Sequence, residues 1–116
     1  VLRVGVVLYT QDDPFINALT DCLKEDLEDY ETDSLKIIMT VRDGKNDQKL
    51  QDEVVEEILD AGCDILVVDL VDRTEPSNII KMAKQQNIPV IFFNRDFIQI
   101  PFNCYTSVTY LKNFTI

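Results

Sequence analysis

The chain has 116 residues, 46% of them hydrophobic, and a net charge of -10 with no histidine. A chain of this length forms one domain and buries about two-thirds of its unfolded surface around one core. The acidic excess repels phosphate backbones and anionic membrane surfaces, which argues against nucleic acid as a partner. No apolar run approaches the ~20 residues of a membrane span, and the first residues lack the basic flank and apolar block of a signal peptide. The chain therefore reads as soluble and either mature or trimmed.

Val1 to Tyr9 is rich in Val and Leu without polar alternation, the pattern of a strand covered on both faces. A helix is predicted to begin near Pro14, because Ile16, Leu19, Leu23 and Leu27 recur at intervals of three and four. Leu35 to Val41 reads as a second strand. After Gly44 a second helix places Leu50, Val54, Ile58 and Ala61 on one face, with Asn46 or Asp47 as its cap and Gly62 as its stop. "ILVVDL", Ile65 to Leu70, is the strongest strand signal. Thr74 and Pro76 mark the start of a third helix, whose buried face is Ile79, Ile80 and Ala83. "NIPVIFFN", Asn87 to Asn94, supplies a fourth strand, with Pro89 tolerated at its beginning.

This alternation predicts an α/β fold: an open parallel sheet in the order 2-1-3-4 with helices on both faces, a Rossmann-like three-layer arrangement. Residues 98–116 depart from the pattern. They are apolar and aromatic without a helical period, and an edge strand is expected around Cys104 to Thr109. No fourth helix covers strand four, so this tail or another chain is expected to do so, and self-association through that side follows as an expectation. Cys22, Cys63 and Cys104 are odd in number and include no CxxC pair. All three are expected as free thiols, Cys22 and Cys63 being small packing residues; the alternative is a bridge between those two.

Ligands of open parallel sheets collect at the carboxyl ends of the strands. Tyr9, Asp13, Asp72 and Asn94 all lie at or just past such ends. Asp13 before Pro14 is a good helix cap, and an ionised carboxylate there also accepts hydrogen bonds from a neutral polyol. Asp12 competes for the capping role. Tyr9 and Phe15 read either as core aromatics or as rings that lie along the C–H face of a sugar. Asn94 reads either as a turn former or as an amide that donates to and accepts from hydroxyls. Arg95 beside it is expected to pair with Asp96 at the surface.

With "VGVVLYTQDDPF" at Val4 to Phe15, "NDQ" at Asn46 to Gln48, "LVD" at Leu70 to Asp72 and "IPVIFFNRD" at Ile88 to Asp96, the chain resembles the N-terminal lobe of a bacterial galactose/glucose-binding receptor of an ABC importer, within the type I periplasmic binding proteins. The likeness covers roughly Arg3 to Phe97, with the four segments in the family's order and spacing. It implies that Tyr9, Asp13, Phe15 and Asn94 match sugar-contacting positions. An asparagine at 94, where the ribose receptors have aspartate, looks more like the hexose receptors. The resemblance further implies delivery of hexose to a membrane permease, an extracytoplasmic location, no catalysis, no cofactor, and no metal in this lobe, since the calcium site of some members belongs to the other one. Such receptors carry a second lobe that closes over the sugar. The expectation is therefore a truncated half-receptor, with residues 1–97 as the lobe and 98–116 as an atypical tail, binding sugar weakly or not at all.

Two other readings compete. A receiver-like signalling domain would be phosphorylated on Asp69, but Asp12 and Asp13 lie beyond the end of strand one, and Leu70 and Val71 are expected to continue strand three past Asp69. A truncated folding unit without a ligand is the other. An enzyme finds no support, because the chain has no GxSxG or phosphate loop and its carboxylates and cysteines fall in no catalytic spacing.

Overall fold

The computed structural model describes residues 1–93. Within them β1 (Leu2–Leu8), α1 (Pro14–Glu28), β2 (Ile37–Asp43), α2 (Gln48–Ala61), β3 (Ile65–Asp69), α3 (Ser77–Gln85) and β4 (Val90–Phe93) follow one another. The strands pair in parallel in the order β2-β1-β3-β4, as expected. Leu8 lies opposite Asp43, Val7 opposite Val68, and Asp69 opposite Phe93, so all four strands end along one rim. The expected tail strand lies outside the described residues.

The pleat of the central strands divides the core in two. On one face Val4, Val6 and Leu8 of β1 and Val67 of β3 meet Ile16 and Leu19 of α1, with Leu23 and Leu27 packed at the margin. On the other face Val7, Leu66 and Val68 meet α2 and α3 through Val54, Val55, Ile58, Leu59, Ile79 and Ala83. The α1 stripe is the one its periodicity predicts. The α2 stripe is rotated from the expectation, since Ala61 is exposed and the buried face runs through Gln51, Val54, Val55, Ile58 and Leu59. Two adjacent rows at i, i+3, i+4 and i+7 make the wider apolar face of a helix lying on a sheet.

Element ends differ for identifiable reasons. β2 begins two residues later than expected, because the Leu35 N–H is drawn into a turn by the Thr32 hydroxyl at 3.0 Å. It also runs on through Arg42 and Asp43, which an edge strand tolerates: Arg42 reaches Glu57 of α2 at 2.6 Å, and both side chains stay in contact with solvent. Asp47 caps α2 by accepting from the Leu50 N–H at 3.2 Å, and Gly62 ends that helix at φ 100°, a conformation open to glycine. α3 starts later than expected, with Pro76 as its cap and no side-chain capping bond. The Thr74 hydroxyl that was expected there donates instead to Asp72, at 2.6 Å.

The cysteine expectation is corrected in part. Cys22 is disulfide-bonded and Cys63 is free. The two are not joined to each other, because Cys22 rides on α1 and Cys63 packs in the core on the opposite face of the sheet. Burial pushes the Cys63 thiol above its ordinary pKa, and the carboxylate of neighbouring Asp64 adds to the shift. The folded chain thus holds this proton to higher pH than the unfolded chain does. The contribution is intact below the ordinary thiol value of about 8.5 and is lost as pH rises above it. The stability difference between the wild type and Cys63→Ala, read from urea midpoints, should be constant through neutral pH and shift against the wild type in the alkaline range.

Candidate functional site

The rim is organised from β1 outward. Tyr9 follows the last residue of that strand, and four residues later Asp13 caps α1, its Oδ1 accepting from the Phe15 N–H at 2.9 Å and the Ile16 N–H at 3.3 Å. Asp13, not Asp12, therefore takes the capping role. Its second oxygen, Oδ2, accepts from the Tyr9 phenol at 2.5 Å. A carboxylate offers about four acceptor directions, and these three bonds direct it toward the helix end and the strand tip together.

Tyr9 and Phe15 are each half-buried, resting on the margin of the α1-side core. Each ring is thus packed in part and exposed in part. Together Tyr9, Thr10, Asp12, Asp13, Pro14 and Asn46 line an open depression of about 460 Å³. A separate groove of about 530 Å³ runs along the outer side of α2 and α3, where Glu53, Glu56 and Asp60 face solvent. It lies off the rim.

The loop after β2 fastens the depression's outer wall. The Gly44 N–H donates to the Leu8 carbonyl at 2.8 Å, and the Asn46 N–H donates to that of Tyr9 at 2.7 Å. A side chain at position 44 would bring a Cβ within 2.5 Å of the Leu8 oxygen, so only glycine permits this approach. Asp43 holds the facing loops, accepting from the Gln11 N–H at 3.1 Å and the Lys45 N–H at 2.8 Å. Lys45 and Asn46 adopt φ of 51° and 55°, which carries the chain from the strand into the helix cap.

Sequence reasoning missed the residue beneath the rim. Gln51, on the first turns of α2, is 0% exposed, and its side-chain amide donates to the carbonyls of Leu8 (3.4 Å) and Asp69 (2.8 Å) while its oxygen accepts from the Val71 N–H (3.0 Å). Gln48 continues the chain of bonds, donating to Gln51 Oε1 at 3.1 Å and accepting from the Asp72 N–H at 2.7 Å. The available signal was positional: a glutamine three and four residues before Val54 and Val55 sits on the buried stripe, where a polar side chain has to be bonded.

The remaining candidates separate. Asp72 is exposed beyond β3, and its carboxyl is held below the ordinary carboxylate range by hydrogen bonds from the Thr74 hydroxyl and N–H. Asn94, Arg95 and Asp96 lie outside the described residues. Asp69 is 1% exposed, so its side chain is withdrawn from the solvent contact a phosphoacceptor requires. The strand does end at Asp69, contrary to expectation, because Gln51 takes the place of the next ladder bonds by accepting from Val71.

A model of the periplasmic binding protein domain matches residues 4–111. The chain belongs to that family. It is 36% identical over 94 residues to the D-galactose/methyl-galactoside binding periplasmic protein MglB of Haemophilus influenzae, a match covering 81% of this chain and 27% of that protein. It is 30% identical over 92 residues to the ribose import binding protein RbsB of Escherichia coli, covering 79% of this chain and 29% of that one. Among solved structures it resembles a galactofuranose binding protein, with TM-score 0.70 and 25% identity over 82% of this chain and 30% of the other. The periplasmic binding protein chain described here thus spans less than a third of the length of these relatives. The two sequence relatives are named for binding, one of D-galactose and methyl-galactoside and the other for ribose import, and neither name is that of an enzyme.

Asp13 allows a test of the rim's construction. Asp13→Ala removes the cap and the partner of the Tyr9 phenol and is expected to cost about 1–2 kcal/mol, whereas Asp13→Asn keeps a capping oxygen and should cost a few tenths. Urea unfolding of the three proteins measures both.

Proposed function

We propose that this chain is the sugar-binding N-terminal lobe of an ABC-importer receptor, with Tyr9, Asp13, Phe15 and Asn94 contacting galactose or glucose. The observation that carries the reading is the bond from the Tyr9 phenol to the capping carboxylate of Asp13, at the mouth of an open depression on the rim. A helix N-terminus favours a negatively charged group, and a carboxylate acceptor beside half-exposed aromatic rings suits a neutral polyol with one apolar face. A sugar hydroxyl reaching Asp13 shares Oδ2 with the Tyr9 phenol or displaces it. Support for the sugar class comes from relatives named for galactose and ribose. Preference for a hexose rests on asparagine at position 94. The reading also places the protein outside the cytoplasm, handing its ligand to a membrane permease, with residues 1–97 as the lobe and 98–116 as a tail.

One lobe covers one face of a sugar, while tight sites bury about 70–90% of the ligand surface. Titration with galactose, glucose and ribose, followed by amide NMR, is expected to shift Tyr9, Asp13, Phe15 and Asn94 with weak affinity, most for the hexoses. Asp13→Asn should abolish the response while leaving the fold intact. Micromolar or tighter binding by a monomer would overturn the lone-lobe part of the proposal, and rim amides indifferent to every sugar would overturn the sugar part.

Among the described residues β4 is the end strand of the sheet, and with the apolar sequence of the tail this supports self-association as part of the same reading. Light scattering across a concentration series is expected to show mass rising above the 13.4 kDa of one chain. A constant monomer mass removes that expectation.

A further inference from the structure

We propose that Gln51, working through Gln48, is a positioning residue for the rim: it fixes the spacing between the β1 tip, which leads into Tyr9 and Asp13, and the segment after β3. The inference rests on the sugar-binding reading for its consequence, but not for its geometry.

A glutamine side chain has two N–H donors and one oxygen with two acceptor directions. At Gln51 all four are engaged: the donors on the carbonyls of Leu8 and Asp69, the oxygen on the Val71 N–H and on the side-chain amide of Gln48. The two carbonyls belong to the terminal residues of adjacent parallel strands. The last paired positions between those strands are Val7 and Val68, so the Gln51 side chain bridges β1 and β3 where their own pairing stops. Gln48 then holds the Asp72 N–H at 2.7 Å, one residue beyond the Val71 N–H that Gln51 holds. Two residues of one helix thus set the heights of two chain segments that separate sequence stretches bring to the rim.

Apolar packing alone leaves such segments free to slide by fractions of an ångström, because it carries no directional preference. Hydrogen bonds from a buried, fully satisfied amide do carry one, and binding groups have to be held within about 0.5 Å of their productive positions. Leu8 immediately precedes Tyr9, whose phenol meets Asp13. A shift at the Leu8 carbonyl therefore passes straight into the acceptor pair on which the sugar reading rests.

The experiment compares Gln51→Met, which keeps the volume and removes every bond, with Gln48→Met, which removes the hold on Asp72 and the bonds to Gln51 and Asp52 but keeps those of Gln51 to Leu8, Asp69 and Val71, and with Val55→Ala. Val55 is buried in the same helix and makes no polar contact with the rim, so its truncation reports the cost of a looser core. Two readouts are taken well below all melting temperatures. The first is hydrogen exchange without ligand at the Asn46, Val71 and Asp72 amides; the second is the galactose response of Tyr9, Asp13 and Phe15. Positioning predicts faster exchange at Asn46 and Val71 in Gln51→Met, faster exchange at Asp72 in both glutamine variants, and a galactose affinity about tenfold or more lower in Gln51→Met. Val55→Ala should match the wild type in both readouts even where its melting temperature is lower. Equal behaviour of Gln51→Met and Val55→Ala overturns the proposal. Should Gln51→Met fail to fold, Gln48→Met decides: unchanged Asp72 exchange overturns the relay and accelerated exchange supports it. A wild-type chain silent to every sugar removes the sugar reading, and the exchange measurement then upholds or overturns the clamp on its own.

Discussion

The constraint on which this structure depends is that the ends of two buried parallel strands have to be bonded where the ladder runs out. Parallel strands that end together inside a layered fold leave carbonyls beyond the last pairing, and an unmet buried carbonyl costs about 1–3 kcal/mol. Gln51 meets the one at Asp69 and adds a second, longer bond to the one at Leu8, from a helix that has to lie on that face for apolar reasons in any case. Once those ends are tied, the neighbouring chain follows: Gly44 donates to the same Leu8 oxygen, and Asn46 donates to Tyr9. The rim is therefore assembled from backbone polar groups that the interior obliges to find partners.

Asp13 shows how the same economy extends to the site. Its carboxylate offsets the exposed amides of the first turn of α1, a role worth about 1 kcal/mol to any helix, and it simultaneously draws in the phenol of Tyr9. On the sugar reading, fold and recognition thus use the same few atoms. An alanine there weakens the helix as well as the site, so loss of ligand response in that variant by itself says little about contact. Asparagine separates the two roles, because it caps but carries no charge.

Much of this architecture was legible because apolar periodicity reports burial directly. The continuous runs of β1 and β3 and the α1 stripe announced a sheet covered on both sides, and right-handed connections left 2-1-3-4 as the simplest order. Less legible were features decided by tertiary partners. β2 starts late because a threonine hydroxyl holds Leu35, and the α2 stripe is rotated because a glutamine occupies an interior position that a hydrophobicity pattern scores as surface. Cys22 and Cys63 looked alike in sequence, yet the sheet separates them by face. At the site, Asp13 and its neighbours were legible from helix-cap chemistry and family likeness together. Gln51 was not, since a buried amide leaves no mark in composition and declares itself only once the strands it joins are known.

On the sugar reading, the division of labour between one lobe and the surface that closes over its ligand follows from the same energetics. An exposed hydrogen bond exchanges one partner for water and yields only about 0.5–1.5 kcal/mol net, so a few rim bonds orient a sugar without holding it. Firm retention requires removing the opposite face of the ligand from water, which an open depression cannot do. A lobe of this kind carries preorganised polar geometry, and that geometry is the part a buried glutamine and a capping aspartate can build within one chain. What raises affinity is the surface that closes over it. Selectivity among hexoses, set by where acceptors and donors stand on the rim, can therefore be present in a lobe whose affinity is poor, and the two properties are open to separate selection.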